Sequence, residues 1–145
     1  MTTEHATTQR ITKTEMDALV EGHYRAEETG DLDAIVDGFA PGAEHDVVGR
    51  PGEPLRGGDQ IEGFYRALLG ELRIDRFEPV RRRYGTGHVV DESVLHATAT
   101  GHPFGLDGRG RPVRTRFLHI FDFEDGLISR ESAWIDLAAI QEQLG

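Results

Sequence analysis

The stretch that most constrains this chain is its last third, residues 111–145, RPVRTRFLHIFDFEDGLISRESAWIDLAAIQEQLG. Two alternating runs flank Glu124-Asp125-Gly126, and Asp-Gly between such runs is the strongest short-range signal for a hairpin. Successive strand side chains point to opposite faces, so Phe117, His119, Phe121 and Phe123 share one face of the first run. Arg116, Leu118, Ile120 and Asp122 take the other. In the second run Arg130, Ser132, Trp134 and Asp136 share a face. A histidine among phenylalanines, and an aspartate two residues past a tryptophan, place polar groups on apolar walls. That is the pattern of a binding cavity, and it leaves Leu118, Ile120, Ala133 and Ile135 for the outer side. A short helix closes the chain.

Upstream, Thr12-Lys13-Thr14-Glu15 has the form of a capping box that opens a helix. Met16, Leu19, Val20, His23 and Glu27 then lie on one helical stripe with Tyr24 at its edge, and Gly30 ends it. Asp31 caps a second helix, short and amphipathic, with Leu32, Ile35, Val36 and Phe39 on its apolar side and Pro41-Gly42 as its stop. Ala43 to Gly49 reads as a short strand carrying Glu44, His45 and Asp46, followed by a Gly- and Pro-rich loop from Arg50 to Gly58. The third helix, Asp59 to Leu72, repeats Ile61, Phe64, Tyr65, Leu68, Leu69 and Leu72 at helical spacing. Strands follow at about 77–84 and 89–100, with a turn over Gly105–Gly110 before the hairpin. Three helices and then an antiparallel meander make an α+β domain over residues 1–145. Helices on one face of a strongly curved antiparallel or mixed sheet leave a conical internal pocket.

Length, charge and cysteine content narrow the functions open to such a domain. A chain of 145 residues can bury a sizeable core. Its formal net charge of −10 opposes binding to a phosphate backbone, so nucleic acid is not the expected partner. The arginine clusters (Arg81 to Arg83, then Arg109, Arg111, Arg114 and Arg116) read as solvated strand faces. No segment approaches the roughly 18 apolar residues that span a bilayer, so a membrane is not expected either. MTTEHATTQR has no apolar core of a signal peptide, and residues 1–10 are read as a disordered start to a cytoplasmic protein. There is no cysteine, which removes disulfides, thiolate catalysis and cysteine metal sites. The seven histidines form no His-x-His or His-x-x-x-His pair, and no serine stands in a nucleophile elbow. No metal or other cofactor is expected.

Several of these stretches resemble a known superfamily. Gly30-Asp31-Leu32-Asp33-Ala34-Ile35-Val36, Phe39-Ala40, and Arg56-Gly57-Gly58-Asp59-Gln60-Ile61 with Phe64-Tyr65 are similar to the nuclear transport factor 2-like proteins. The ending, Phe-x-x-x-Asp-Gly-x-Ile, then Trp134-x-Asp136 and Gln143-Leu144-Gly145, resembles the polyketide-cyclase (SnoaL-like) branch. The first part is also similar to the ketosteroid isomerases. The resemblance implies the cone-shaped fold and a homodimer formed through the outer sheet face. Residue by residue, it implies that Asp46 stands for the isomerase's general base and that His23 or Tyr24 stands for its oxyanion tyrosine. His119 stands for its protonated aspartate, a departure from the pattern. Asp136 stands for the acid/base of the cyclases.

The chemistry agrees with such a set. Moving a proton beside a carbonyl needs a base and donors for the enolate oxygen that develops. A carboxylate in an apolar cone has its pKa raised by desolvation, and imidazole and phenol can donate while neutral. The expectation is a cofactor-free enzyme that binds a small hydrophobic, polyketide- or steroid-like ligand and performs aldol-type cyclisation or isomerisation. Asp136, Asp46, His119, His23 and Tyr24 are its candidate catalytic groups, with Trp134, Phe117, Phe121, Phe64 and Phe39 as its wall. Asp46 could instead pair with an arginine, and Asp136 could serve as the N-cap of the last helix. Two other readings fit the same residues. One is a non-catalytic ligand-binding or dimeric interaction module. The other is an epoxide hydrolase of the limonene-epoxide-hydrolase type.

Overall fold

The capping box forms as the sequence specifies. In the computed structural model, which describes residues 10–145, the Thr12 hydroxyl accepts from Glu15 N at 3.1 Å and Thr12 N donates to the Glu15 carboxylate at 3.3 Å. Most of the expected disordered start therefore lies outside the described residues. Helix α1 (Lys13–Thr29) follows the box and ends at Gly30, whose φ of 69° is the left-handed conformation a helix terminus favours in glycine. Asp31 accepts from Ala34 N and caps α2 (Leu32–Asp37). After it come β1 (Phe39–Val47), the two-residue β2 (Leu55–Arg56) and α3 (Gly58–Glu71). The rest of the chain is β3 (Arg73–Gly85), β4 (His88–Ala99), β5 (Arg111–Glu124), β6 (Leu127–Ile135) and α4 (Leu137–Leu144). Among the described residues no helix is long and apolar enough to cross a membrane.

The sheet has six strands in the order β2-β1-β6-β5-β4-β3 and does not close into a barrel. Its β3–β6 portion is the expected meander. The sheet as a whole is mixed, because β1 lies parallel to β6. Strand β1 also begins earlier than Ala43. Pro41-Gly42 sits inside it, at an irregularity between Phe39 and Glu44, where a residue without an N–H costs no ladder bond. Helices α1, α2 and α3 cover one face, and the buried side chains fall into two clusters. One gathers Val20, Ile35, Ile61, Tyr65 and Phe121; the other, toward α4, gathers Leu72, Ile74, Leu95, Val113 and Ile140. Between α3 and the sheet the two clusters do not meet completely, and a cavity remains.

The hairpin between β5 and β6 contains the largest departure from the sequence reading. Asp125 and Gly126 both take positive φ, 51° and 75°, as a tight two-residue hairpin turn requires. Glu124 pairs with Leu127 and Phe123 with Ile128, but beyond a bulge Asp122 pairs with Arg130 and Phe121 with Glu131. Ser129 is thus the extra residue of β6, and one extra residue turns every later side chain to the opposite face. Arg130, Ser132 and Trp134 consequently face outward with Leu118, Ile120 and Asp122. Glu131, Ala133 and Ile135 face inward with Phe121, His119 and Phe117. The expected placement of Ala133 and Ile135 on the outer side is corrected by this bulge.

Candidate functional site

The inner face is built from α1 outward. His23 and Glu27 are one turn apart on the buried stripe of α1, so both side chains enter the space between helix and sheet. Tyr65 comes from α3, His45 from β1, Asp91 from β4, His119 from β5 and Glu131 from β6, and each is buried. Glu131, 1% exposed, is the hub of this group. Tyr65 donates its hydroxyl to Glu131 Oε2 at 2.8 Å. His23 Nε2 lies 3.3 Å from Oε1, His119 Nε2 3.4 Å from Oε1, and His45 Nε2 3.3 Å from Oε2. Burial alone would push a carboxyl group up, but the surrounding imidazoles hold Glu131 well below the ordinary range, so it is ionised. Burial opposes the charging of His23 too, yet Glu131 and Glu27 raise it to about 9. A buried imidazolium–carboxylate pair therefore sits at the centre. His119 is pushed down by burial and is neutral.

The network runs on toward the surface. Tyr24 donates to Asp91 Oδ2 at 2.6 Å and lies 3.1 Å from His119 Nδ1. Arg82 holds the other Asp91 oxygen at 2.8 Å and reaches Asp17 at 2.9 Å. Burial, with Asp91 for Tyr24 and Glu131 for Tyr65, raises both phenols well above their usual range, so they remain donors.

The cavity, about 500 Å³ in volume, lies on the other side of Glu27. Phe64, Leu68, Phe77, Leu95, Phe117 and Ile135 form much of its wall, and Val48 to Pro51, Phe104 and Leu137 also line it. Only Glu27 and Arg50 among the lining residues are charged. Glu27 is 5% exposed. Its Oε2 is 3.4 Å from His23 Nε2, but His23 is committed to Glu131 and Glu27 Oε2 accepts no hydrogen bond. Desolvation raises the Glu27 carboxyl to about 8, with His23 opposing and Glu131 assisting. A carboxyl group balanced near neutral pH on the wall of an apolar space can take or give a proton there.

The structure separates the residues proposed from sequence. His23, Tyr24 and His119 come together, but behind Glu27 and not in the cavity wall. Tyr24 opens instead into a smaller polar hollow of about 270 Å³ with Phe77, Arg82 and Asp91. Phe117 and Phe64 line the cavity. Phe39 and Phe121 are buried in the core, where Phe121 stacks on His119 at 5.1 Å between ring centres and Phe39 meets His23 edge-on at 5.6 Å. Asp46, Asp136 and Trp134 do not reach the cavity. Asp46 lies beside His45 on a strand, so alternation turns it outward, where Arg130 binds it at 3.1 Å. Asp136 is exposed and accepts from Ala139 N at 3.2 Å as the cap of α4. Trp134, 38% exposed, follows the bulge to the outer face.

Four important groups escaped the sequence reading as site residues. Glu27 carried a usable signal, an acidic side chain on an otherwise apolar stripe four residues after a histidine. His45 carried another, since an outward Glu44 and Asp46 imply an inward residue between them. Glu131 was concealed by the bulge, and Arg50 by its place in a loop.

Comparison with known proteins agrees with this architecture. A family model described as a SnoaL-like domain matches residues 20–131. A "putative polyketide cyclase" from Xanthomonas campestris pv. campestris superposes with a TM-score of 0.81 at 23% identity, over 92% of this chain and 98% of that one. Another so described, from Pseudomonas putida, gives 0.77 at 21% identity over 88% and 96%. An LEH-like epoxide hydrolase of M. tuberculosis gives 0.71 at 19% identity over 90% of each chain. Identities this low speak for the cone-shaped fold alone. No curated protein matches the sequence.

Proposed function

From the premise that this chain belongs to the SnoaL-like domain family, we propose that it is an enzyme of proton transfer. It binds a small hydrophobic, polyketide- or steroid-like ketone in the apolar cavity, and Glu27 is the acid/base group. The observation that carries this reading is Glu27 itself, among the described residues the one carboxylate on the wall of an otherwise apolar cavity, with a pKa raised to about 8. The cavity volume lies within the roughly 300–1,000 Å³ usual for small-molecule sites.

In its ionised form Glu27 removes a proton from carbon beside the ligand's carbonyl, and the C–H electron pair passes into the enolate. The resulting carboxylic acid returns the proton at a second position, which is isomerisation. Alternatively, the enolate carbon attacks a second carbonyl of the same ligand and Glu27 protonates the new alkoxide, which is aldol cyclisation. The His23 imidazolium supports the ionised state of Glu27, and Glu131 in turn holds His23 charged. His119, His45, Tyr65 and Tyr24 position this pair and do not touch the ligand. The chemistry needs no cofactor. A homodimer is part of the proposal, with Trp134 and Leu118 of the outer face, beside Arg116 and Arg81, offered to a second copy. Light scattering tests that element independently.

The decisive experiment is turnover of a panel of aromatic polyketide and steroid ketones by wild type, Glu27→Gln and Asp136→Asn. General acid–base catalysis is worth about 10²–10⁴-fold, so Glu27→Gln should lose at least 100-fold while still binding ligand. Asp136→Asn should stay within a few-fold of wild type. Ligand binding without turnover in any of the three would make the domain a binding module.

A further inference from the structure

Many of the arginines meet carboxylates, and among the described residues Arg50 does not. Arg56 and Arg130 meet Glu44, Arg81 meets Glu92, Arg82 meets Asp91 and Asp17, and Arg109 meets Asp107. Arg50 follows β1 in the loop to β2, and its terminal nitrogens donate to backbone oxygens only, Pro51 O at 3.3 Å and Glu53 O at 2.6 Å. Its Nε is buried and makes no hydrogen bond, although the residue lines the apolar cavity. A guanidinium has five N–H donors in a planar fork, and two carbonyls leave most of them unused. A buried donor without an acceptor is a standing cost that a bound acceptor removes.

We propose that the ligand of this cavity is a hydrophobic acid, with an apolar ring body against Phe64, Leu68, Phe117 and Ile135 and a carboxylate bound by Arg50. The proposal deepens the proton-transfer reading and rests on it for the identity of the cavity as the site. A carboxylate is the partner whose two oxygens match the edge of the guanidinium. The apolar walls supply few competing donors, so the acid would enter in one orientation, its anionic end at Arg50 and another part of its body at Glu27. Below about pH 8 Glu27 is protonated and does not repel such an anion. The long-range field of a chain with net charge −10 does repel it. Arg50 is therefore the feature that lets this acidic protein hold an acidic ligand.

The test uses 2-naphthoic acid and its neutral counterpart 2-naphthamide, titrated at pH 7 by naphthalene fluorescence. The proteins are wild type, Arg50→Gln, Arg50→Lys and Glu27→Gln. Wild type should bind the acid at least tenfold more tightly than the amide. Arg50→Gln should erase that preference while leaving amide affinity within about twofold. Arg50→Lys, which keeps the charge and loses the fork, should recover part of it, and Glu27→Gln should retain it in full. Equal or undetectable binding of the acid by wild type overturns the proposal, as does an acid preference that survives Arg50→Gln. Turnover that survives Glu27→Gln would defeat the proton-transfer reading while leaving the Arg50 result standing, so the two failures are distinguishable.

Discussion

Asp46 and Glu27 are both carboxylates, and the sheet between them gives them opposite chemistry. On the outer face Asp46 and Glu44 share Arg130, with Arg56 joining Glu44, in a half-exposed ion-pair network. On the inner face Glu27 has lost water, and its Oε2 has an imidazolium 3.4 Å away but accepts no hydrogen bond. Outside, solvent and arginine satisfy the charge and leave nothing for a reaction to use. Inside, the same functional group is raised toward neutral pH. The side of the sheet decides which carboxylate can be an acid/base, and strand register decides the side.

The contrast can be broken most severely at Glu131. Replacing it with Ala leaves the buried His23 imidazolium without its counter-charge and Tyr65 without its acceptor, and should cost about 3–5 kcal/mol in urea denaturation. A loss under 1 kcal/mol would mean that the inner network is not charged as described. A subtler handle is pH. The folded His23 holds a proton up to about 9 that the unfolded chain releases near 6.5, and Glu27 holds one up to about 8 that the unfolded chain releases near 4.5. In both cases the folded state binds more protons, so stability is lost as pH rises through these windows. Glu131 and His119 are shifted down and act oppositely, below 4.5 and 6.5 respectively. The melting temperature should therefore fall from pH 6.5 to 9, with a shallower slope in Glu27→Gln; a flat or rising profile would count against the charged pair.

The outer carboxylates should be mild by comparison. Asp136→Ala removes the cap of α4 and should cost about 1 kcal/mol in thermal unfolding. Asp46→Asn removes a half-exposed partner of Arg130 and should cost between 0 and about 1 kcal/mol. Neither should change turnover by more than a few-fold. A large catalytic loss in either would reverse the assignment of faces.

How much of this was legible in the sequence follows the same division. Elements written in local chemistry were readable: the Thr12–Glu15 box, the Gly30 terminus, the Asp31 cap, the stripe of α3 and the Asp-Gly turn. Family resemblance, carried by Gly30 to Val36, Arg56 to Ile61 and the hairpin ending, gave the cone. His23, Tyr24 and His119 lie on periodic faces and gather as their spacing implied. The bulge at Ser129 was not readable, because no glycine or proline marks it and alternation continues on both sides. Counting from the turn without it puts Trp134 and Asp136 on the cavity wall and hides Glu131. Parallel pairing of β1 with β6 likewise joins residues as far apart as Phe39 and Ile128 and has no local signature.

The most direct test of the account is the titration of Glu27 itself. In protein labelled with ¹³C at the glutamate carboxyl carbons, wild type should show one resonance that titrates near pH 8 and is missing from Glu27→Gln. If every glutamate carboxyl titrates below about pH 6, Glu27 is an ordinary carboxylate and the central claim fails.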